Sequence, residues 1–334
     1  MIDDTHDRLA LGVDGGGTKT DAILVDEAGN VLGIGRGGSA HSLFVGSETV
    51  RNSYADAIRA AMGELRPKSL WVTRVPGRVF ERMGIEIAEL HVVGCDELSM
   101  GLAMALETHG VVALSGTGAF VAGLTEKGES LCLDGLGPVL GDYGSGYQIG
   151  LMGMRAAAAS SWSSERRTVL ADLVPQHFGV AHPSEVFEMV YMRHMDRLRI
   201  ASAAKVVISA AESGDAVARR IVLQAADDIS DVLVDVIRRL HVEDSDYALM
   251  ASGGVVQNCD MYWERICERA LEIAPRLRPI RPRILPCVGA ALIALRAMGV
   301  QWSLELLSRI EETQPPEVRR QKTGDGSQEE RSLF

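Results

Sequence analysis

The sequence predicts an α/β protein made of two similar domains, and two observations indicate this. The chain has 334 residues, which is enough for two ordinary domains and too long for one compact core. A pattern of strand, glycine-rich turn, strand, hairpin and strand also occurs twice, so that Gly17 corresponds to Gly116 and Gly29 to Gly128. Because an internal repeat defines architecture, the two copies predict two related domains.

The first copy begins with an apolar run typical of a strand, which leads into the glycine-rich turn at residues 14–19. Glu27-Ala28-Gly29-Asn30 is typical of a hairpin turn between the second and third strands. Apolar residues at helical spacing follow. For this half we predict strands at 9–13, 22–25, 31–34 and 90–93, and helices at 47–63 and 97–107.

The second copy has the turn Gly116-Thr117-Gly118 and a hairpin at 126–129, and the rest of this half is more helical. Asp215 is a candidate N-cap for a long amphipathic helix. From about residue 312 onward, Pro315-Pro316 and a polar stretch predict a disordered tail over 312–334. For this half we predict strands at 111–115, 119–124, 130–133 and 247–251, and helices at 150–160, 184–198, 215–240, 254–271 and 287–298.

Composition limits the classes of function. The net charge of -11 argues against a nucleic-acid partner, because phosphate backbones require concentrated Lys and Arg. The five cysteines are scattered and lack Cys-x-x-Cys spacing, which is typical of a reducing compartment rather than of a zinc or redox site. The acidic N-terminus does not resemble a signal peptide, and no apolar run reaches the roughly 20 residues needed to span a bilayer. We therefore expect a cytoplasmic protein with no membrane partner.

The first glycine-rich turn is suited to binding phosphate. Its three glycines let backbone N–H groups surround an anion, while Thr18 adds a hydroxyl and Lys19 a positive charge. Gly12 and Gly17 have the P-loop spacing, but Thr18 stands where that motif requires Lys. A dinucleotide fingerprint requires a helix directly after the glycines, and a strand is predicted there instead. A tight strand–strand turn is the alternative interpretation of these glycines.

The second turn gains weight from its place in the repeat, because two glycine–threonine turns could hold a polyphosphate from opposite sides. Gly253-Gly254 follows an apolar strand and precedes a helix, where a nucleotide could lie against the backbone. An ordinary strand–helix turn explains that pair equally well.

Three aspartates are candidates for chemistry. Asp14 and Asp96 come just after predicted strands, so one could hold Mg²⁺ and the other could accept the proton of an attacking hydroxyl. A cap or turn role is the alternative for either residue. Asp142 lies in the glycine-rich segment 135–146, which we interpret as a loop lining the substrate, with a domain-joining Ω-loop as the alternative.

Together these segments resemble the BadF/BadG/BcrA/BcrD-type ATPase family, in particular its N-acetylglucosamine and glucosamine kinases. The resemblance extends from Leu11 to about Val300. The motifs that carry it are residues 12–20 (Gly-Val-Asp-Gly-Gly-Gly-Thr-Lys-Thr), 115–118 (Ser-Gly-Thr-Gly), 141–146 (Gly-Asp-Tyr-Gly-Ser-Gly), 252–255 (Ser-Gly-Gly-Val) and 286–291 (Pro-Cys-Val-Gly-Ala-Ala).

The resemblance implies the actin-like ATPase fold of sugar kinases and heat-shock chaperones, with two RNase H-like domains around a nucleotide cleft. Its last helix returns to the first domain, so we expect residues 8–110 with 287–300 to form the N-terminal domain and residues 111–286 the C-terminal domain. The implied activity is ATP-dependent phosphorylation of a hydroxyl of an amino sugar, with Mg²⁺ as cofactor. The oligomeric state stays open, with a homodimer as one option.

The resemblance also assigns roles to residues. Asp96 would be the catalytic base and Asp14 would hold Mg²⁺ through water. Asp96 and Asp142 would also contact the sugar. The ATP-binding residues would be Gly16, Gly17, Thr18, Lys19, Gly116, Thr117, Gly118, Gly253 and Gly254, and the remaining substrate-binding positions would be His41, Gly135 and Leu136.

Three departures from the family pattern fall on the expected sugar side. Ser39-Ala40-His41 stands where Ser-Thr-Asn is usual, Gly135-Leu136-Gly137 where Gly-Trp-Gly is usual, and Tyr143 where Glu is usual. These departures leave open which sugar is the acceptor and whether His41, Leu136 and Tyr143 redirect sugar binding. Two alternatives to a kinase follow: an ATPase activator of a reductase or dehydratase, and a non-catalytic sensor of sugar or nucleotide on the same fold.

Overall fold

The structure, a computed structural model, describes residues 7–42, 45–73 and 75–315. The backbone divides into two compact units. Unit 2 is His109–Arg281, and unit 1 consists of the described residues before and after it. We expected the boundaries after residues 110 and 286, and the structure places them after Thr108 and Arg281.

Unit 1 contains one five-stranded sheet and the helices that cover it. Its strands are β1 (Arg8–Gly15), β2 (Thr20–Val25), β3 (Val31–Gly37), β4 (Ser69–Thr73) and β5 (Glu89–Val93). Its helices are α1 (Ser47–Met62), α2 (Val79–Met83), α3 (Glu97–Ala103), α12 (Pro286–Ala297) and α13 (Leu304–Thr313).

Unit 2 contains a second five-stranded sheet and a larger set of helices. Its strands are β6 (Gly110–Ser115), β7 (Ala119–Leu124), β8 (Ser130–Asp134), β9 (Ala248–Ser252) and β10 (Arg278–Ile280). Its helices are α4 (Gly146–Trp162), α5 (Leu170–Phe178), α6 (Pro183–Tyr191), α7 (Arg197–Ser202), α8 (Ala204–Glu212), α9 (Ala216–Leu240), α10 (Gly254–Asn258) and α11 (Asp260–Ile273).

The two sheets have the same strand order. In unit 1 the order is β3-β2-β1-β4-β5, and in unit 2 it is β8-β7-β6-β9-β10. In each sheet the first three strands are antiparallel, and the two later strands run parallel to the first. This shared topology confirms the predicted repeat and the predicted fold class, the actin-like ATPase fold.

Glycines let α1 pack directly on β3. A β-carbon at Gly33, Gly35 or Gly37 would overlap the carbonyl oxygen of Ala61, Ala57 or Ser53, respectively. Strand positions two apart share a face, as do helix positions four apart, so the two series meet pair by pair along the contact. The close approach fixes the path of β3 and of the loop that follows it.

Helix α12 packs on β1 in the same close manner. A β-carbon at Gly12 would overlap the carbonyl oxygen of Cys287 and the backbone of Ala291. On the other side of α12, a β-carbon at Gly289 would overlap the carbonyl oxygen of Met100 on α3. The late segment of the chain thus covers the strand that leads into the first glycine-rich turn.

Helix α9 of unit 2 begins at the predicted N-cap, since the Asp215 carboxylate accepts hydrogen bonds from the N–H groups of Val217 and Ala218 at 3.0 and 2.8 Å. Its apolar face lies in the core and includes Ile229, Leu233 and Ile237, each at most 1% exposed. Unlike α1, it meets its sheet through large side chains.

Several elements differ from the predictions. The predicted helix 184–198 is two helices, α6 and α7, because the chain turns at His194, whose φ is 50°. Helix α3 ends at Ala103 rather than at 107, because Leu106 adopts the left-handed region with φ 60°. Helices α2, α5, α8 and α13 and strands β4 and β10 were not predicted.

The predicted start of the disordered tail, residue 312, is too early, because α13 continues to Thr313. Residues 316–334 of that expected tail lie outside the described residues. Across the ranges that the structure does describe, no helix is both long enough and apolar enough to cross a membrane.

Candidate active site

The first glycine-rich turn joins β1 to β2 and is closed by a hydrogen bond from the Gly16 N–H to the Lys19 carbonyl at 2.9 Å. A β-carbon at Gly15 would overlap the hydroxyl of the buried Tyr54, so this position has no room for a side chain. Thr18 is exposed at the tip of the turn. The turn is therefore a tightly held backbone loop with an exposed threonine at its tip.

A buried carboxylate supports this turn from below. The Asp21 side chain is 2% exposed and pairs with Lys19 at 2.8 Å and with Arg36 at 2.7 Å. Lys19 itself is 42% exposed, so its ammonium group lies between the buried carboxylate and solvent. The positive charge predicted for the turn is present there and is anchored by Asp21.

Asp14 is half-buried at the end of β1, beside the turn. Burial raises the pKa of the Cys287 thiol well above its ordinary value, and the carboxylates of Asp21 and Asp14 add to the shift. Asp14 therefore lies near the N-terminal end of α12. Within residues 7–42, 45–73 and 75–315, no group of three or more His, Cys, Asp or Glu side chains could hold a metal.

The loop after β3 is tied to the first turn. The Ala40 N–H donates to the Gly16 carbonyl at 3.0 Å, and the Thr20 hydroxyl donates to the Gly38 carbonyl at 2.9 Å. His41, a predicted sugar contact, is the next residue and is exposed. The structure thus brings His41 to the same end of the sheet as the glycine turn.

Asp96 is exposed and forms the N-cap of α3. Its Oδ1 accepts the Ser99 N–H at 2.7 Å and the Ser99 hydroxyl at 2.6 Å, and its own N–H donates to the Ser99 Oγ at 3.0 Å. The cap uses one carboxylate oxygen and fixes the orientation of the other. The capping role and the predicted catalytic role are therefore compatible at this position.

The second turn, in unit 2, meets two other glycine segments. The Gly116 N–H donates to the Gly118 carbonyl at 2.9 Å, and the Gly146 N–H at the start of α4 donates to the Gly116 carbonyl at 2.7 Å. A β-carbon at Gly253, where φ is 93°, would overlap the Ser115 carbonyl oxygen. The structure brings the second turn and the predicted Gly253-Gly254 turn into direct contact.

The loop that follows β8 is held at both ends by carboxylates. Asp134 accepts the N–H groups of Asp142 and Tyr143, each at 2.7 Å. The Asp142 Oδ2 pairs with the Arg197 Nη2 at 2.8 Å, and both side chains are largely buried. A β-carbon at Gly118 would lie 2.9 Å from that guanidinium and 3.0 Å from that carboxylate oxygen, so the pair lies against the second turn.

The pair gives Asp142 a structural role. Burial raises the pKa of Asp142 above its ordinary value, and the Arg197 charge opposes this shift. The raised pKa shows that the surroundings disfavour the carboxylate charge overall, even with Arg197 beside it. Asp142 is 3% exposed, so holding the loop is its observed role, while its contact with sugar stays a prediction.

Other predicted sugar-side residues lie along this same loop. Gly135 has φ 73°, and Leu136 beside it is 67% exposed. A buried network closes the end of the loop: the Tyr262 hydroxyl donates to the Gly144 carbonyl at 2.6 Å, and the Ser115 hydroxyl donates to the same oxygen at 2.7 Å. Burial raises the pKa of Tyr262, so the phenol keeps its proton and remains a donor.

Several contributors to the site were not predicted from the sequence. They are Tyr54, Asp134, Arg197 and Tyr262, together with Asp21 and Arg36 below the first turn and Ser99 at the cap of α3. Asp134 ends β8 in the left-handed region with φ 69°, and its place eight residues before Asp142 is a local signal that could have found it. Arg197 is 55 residues from its partner, and Tyr262 is 118 from Gly144. Nothing in the local sequence pairs such distant residues.

The chain is similar in sequence to a known protein family and to known kinases. The model of the BadF/BadG/BcrA/BcrD ATPase family matches residues 11–294. The chain is 23% identical over 322 residues to an N-acetyl-D-glucosamine kinase of Dictyostelium discoideum, with 87% of this chain and 98% of that protein covered. It is 25% identical over 308 residues to an N-acetylmuramic acid/N-acetylglucosamine kinase of Clostridium acetobutylicum, with 86% and 98% covered.

A solved structure from Chromobacterium violaceum, provisionally named as an N-acetylglucosamine kinase, has the same fold. Its TM-score is 0.62 at 20% identity, and the match covers 86% of this chain and 99% of that chain.

Proposed function

Since this chain belongs to the BadF/BadG/BcrA/BcrD ATPase family, we propose that it is an ATP-dependent kinase that phosphorylates a hydroxyl of an amino sugar such as N-acetylglucosamine or glucosamine. The observation that carries the proposal is the pair of glycine turns, which join the first two strands of each sheet at equivalent places. Glycine turns can present backbone N–H groups to an anion, because the glycines carry no side chain of their own.

The turns account for nucleotide binding in this proposal. The N–H groups of Gly17 and Thr18 of unit 1 would donate to phosphate oxygens, and Lys19 would add positive charge beside them. Gly16 would line the phosphate with its backbone, since its own N–H closes the turn on the Lys19 carbonyl. In unit 2 the N–H groups of Thr117 and Gly118 would donate in the same way, since the Gly116 N–H closes that turn. Gly253 and Gly254 would lie against adenosine, since neither carries a side chain and a β-carbon at Gly254 would meet nothing within 4 Å.

Mg²⁺ suits the carboxylate available beside the first turn. It prefers oxygen ligands and keeps several waters, so one carboxylate together with phosphate oxygens is a sufficient donor set. Asp14 would hold it, and the ion would offset phosphate charge when bound.

Asp96 would act as general base. As the oxygen of the sugar hydroxyl bonds to the γ-phosphorus, the bond between that phosphorus and the β–γ bridging oxygen breaks and ADP leaves. The proton of the hydroxyl passes to the Asp96 carboxylate, whose orientation is fixed by the Ser99 cap. Positioned donors at the turns would stabilise the charge that develops on the transferring group.

The amino-sugar assignment draws on the loops that follow the third strand of each sheet. His41 lies beside the first turn, and Gly135, Leu136 and Asp142 lie in the loop beside the second.

The five cysteines carry no disulfide, which supports a reducing compartment such as the cytoplasm.

A screen of purified protein with ATP and Mg²⁺ against a panel of amino sugars and their N-acyl derivatives tests the proposal. We expect sugar-dependent ADP release and a sugar monophosphate detected by mass spectrometry. ADP release without any sugar product would contradict it and favour an ATPase activator. Sugar binding measured by calorimetry without turnover would contradict it and favour a sensor.

A further inference from the structure

An exposed apolar surface lies on the loop of unit 2 that follows β8. Thirteen large apolar side chains of the described residues are exposed, and four of them fall within residues 136–143. Their exposures are 67% for Leu136, 90% for Val139, 74% for Leu140 and 51% for Tyr143. Concentrated apolar exposure of this kind is typical of a binding surface, whereas single exposed apolar residues need no explanation.

The exposure follows from how the backbone is held. The Asp134 carboxylate fixes the N–H groups of Asp142 and Tyr143, and the Gly141 N–H donates to the Gly137 carbonyl at 2.8 Å. Asp134 and Asp142 both adopt the left-handed region, with φ 69° and 58°. The loop is therefore a defined backbone shape that presents its apolar side chains outward.

The surface adjoins the second glycine turn. Asp142 and its partner Arg197 lie against Gly118, as described above. Leu136 lies over Gly141, since a β-carbon at Gly141 would be 3.2 Å from the Leu136 Cβ. Leu136 is therefore beside the residue that precedes Asp142, at the end of the loop nearest the turn.

We propose that this apolar surface, residues 136–143, receives an apolar substituent of the acceptor, namely an N-acyl chain longer than acetyl on an amino sugar. The inference rests on the proposed kinase function and specifies its substrate class. A bare sugar offers hydroxyl groups, which gain nothing from leucine and valine side chains. An acyl chain would remove apolar surface from water on both sides of the contact.

The gain has a measurable size. Removing one methylene from water favours binding by about fourfold. For glucosamines carrying N-acetyl, N-propanoyl and N-butanoyl groups, we therefore expect kcat/KM to rise by about fourfold at each step, or about sixteenfold in total. A kcat/KM that is flat or falls along this series would overturn the inference.

Two variants assign the effect to the loop. Leu136→Ala and Leu140→Ala should each flatten the dependence on chain length, and both side chains are exposed enough for truncation to leave the fold intact. Leu304→Ala is the matched control, because Leu304 is 75% exposed on α13 of unit 1. If the control flattens the series as much as the loop variants do, the loop is not the binding surface.

The outcomes separate this inference from the proposed function. Phosphorylation of N-acetylglucosamine with no dependence on chain length would leave the kinase standing and overturn the acyl surface. If no amino sugar is phosphorylated, the kinase proposal fails, and dissociation constants of the same series, measured by calorimetry with ADP and Mg²⁺ present, decide the inference by the same fourfold criterion. A flat series together with a loss of self-association in Leu140→Ala would overturn it and assign the surface to a second copy of the chain.

Discussion

Unit 1 and unit 2 have the same strand order and a glycine turn at the same place, yet the segments that follow their other strands differ. In unit 1 the exposed carboxylate of Asp96 follows the fifth strand, β5. In unit 2 the fifth strand, β10, is followed by Arg281, which pairs with Asp260. After the third strand, unit 1 has the loop with His41, and unit 2 has the loop with the exposed apolar side chains. The repeat thus supplies a glycine turn twice and a candidate base only once.

Replacing that base should have the largest effect. For Asp96→Asn we expect kcat to fall by about 10² to 10⁴, the range of a positioned general base. Asn is as good an N-cap as Asp, so the midpoint of thermal unfolding should stay nearly unchanged. Steady-state kinetics and a thermal melt on the same preparation measure the two quantities.

Ser99→Ala is the matched control for this variant. It removes the hydroxyl that reinforces the cap and keeps the carboxylate. Activity should then stay within a few-fold of the parent. If Ser99→Ala loses as much activity as Asp96→Asn, the cap rather than the base accounts for the loss. The carboxylate that only unit 1 has after its fifth strand would then not act as a base.

The two buried carboxylates beside the turns provide a second contrast. Asp21 of unit 1 pairs with Lys19 of the turn and Arg36 of the neighbouring strand, whereas Asp142 of unit 2 depends on Arg197 from a distant helix. For Arg197→Met we expect a loss of about 3–5 kcal/mol in the free energy of unfolding, because a buried carboxylate is left without its partner. Asp142→Asn should lose less, since Arg197 is 15% exposed and can reach water.

The pH dependence of Arg197→Met has a defined sign. The pKa of Asp142 is already raised by burial, and removing the guanidinium would raise it further. A carboxyl group with a raised folded-state pKa stabilises the fold below its unfolded pKa of about 3.9 and loses that contribution as pH rises through the folded pKa. The variant should therefore differ least from the parent in acid and most near neutral pH. Chemical denaturation at pH 4 and pH 7 tests this, and an equal loss at both would contradict it.

These contrasts also explain what the sequence could predict. The strands, both glycine turns and the long helix α9 follow from apolar periodicity and turn residues, which are local signals. Lys19 is likewise local. Its partner Asp21 is only two residues away, so a local signal could have found it, although it was not predicted. Arg197 and Tyr262 were missed because their partners are far away in sequence, and pairing of that kind arises only from tertiary packing. The local sequence pattern also does not predict that Leu136 is exposed, because its exposure depends on how Asp134 holds the loop.

The crossover helices differ in how they pack on their sheets. Helix α1 lies against the backbone of β3. Helix α9 instead contacts its sheet through side chains, as at Gly123 of β7, where a β-carbon would lie 3.2 Å from the Val236 Cγ1. For Gly35→Ala we expect a loss of about 1–3 kcal/mol in the free energy of unfolding, because the added methyl group overlaps the Ala57 carbonyl oxygen. Gly77→Ala is the control, since open space surrounds Gly77 and its φ lies outside the left-handed region. Equal losses in the two variants would show that close packing of α1 is not what stabilises unit 1.

The starts of the same two helices give the smallest expected effect. Helix α1 begins at Gly46 with no side-chain cap, whereas Asp215 caps α9 and also accepts the Thr168 hydroxyl at 2.9 Å. For Asp215→Ala we expect a loss of about 1–2 kcal/mol at neutral pH, as for other N-caps.

The loss in Asp215→Ala should depend on pH in the opposite sense to that of Arg197→Met. Burial acts to raise the pKa of Asp215, but hydrogen bonds from Ala218, Val169, Thr168 and Val217 outweigh it and lower the pKa below its ordinary value. A carboxyl group with a lowered folded-state pKa stabilises the fold above its unfolded pKa of about 3.9, and this contribution disappears as pH falls through the folded pKa. The difference between variant and parent should therefore narrow below about pH 4. Hydrogen exchange of the first turn of α9 at pH 3 and pH 7 locates the effect, and a difference that stays constant with pH would mean that the cap acts without its charge.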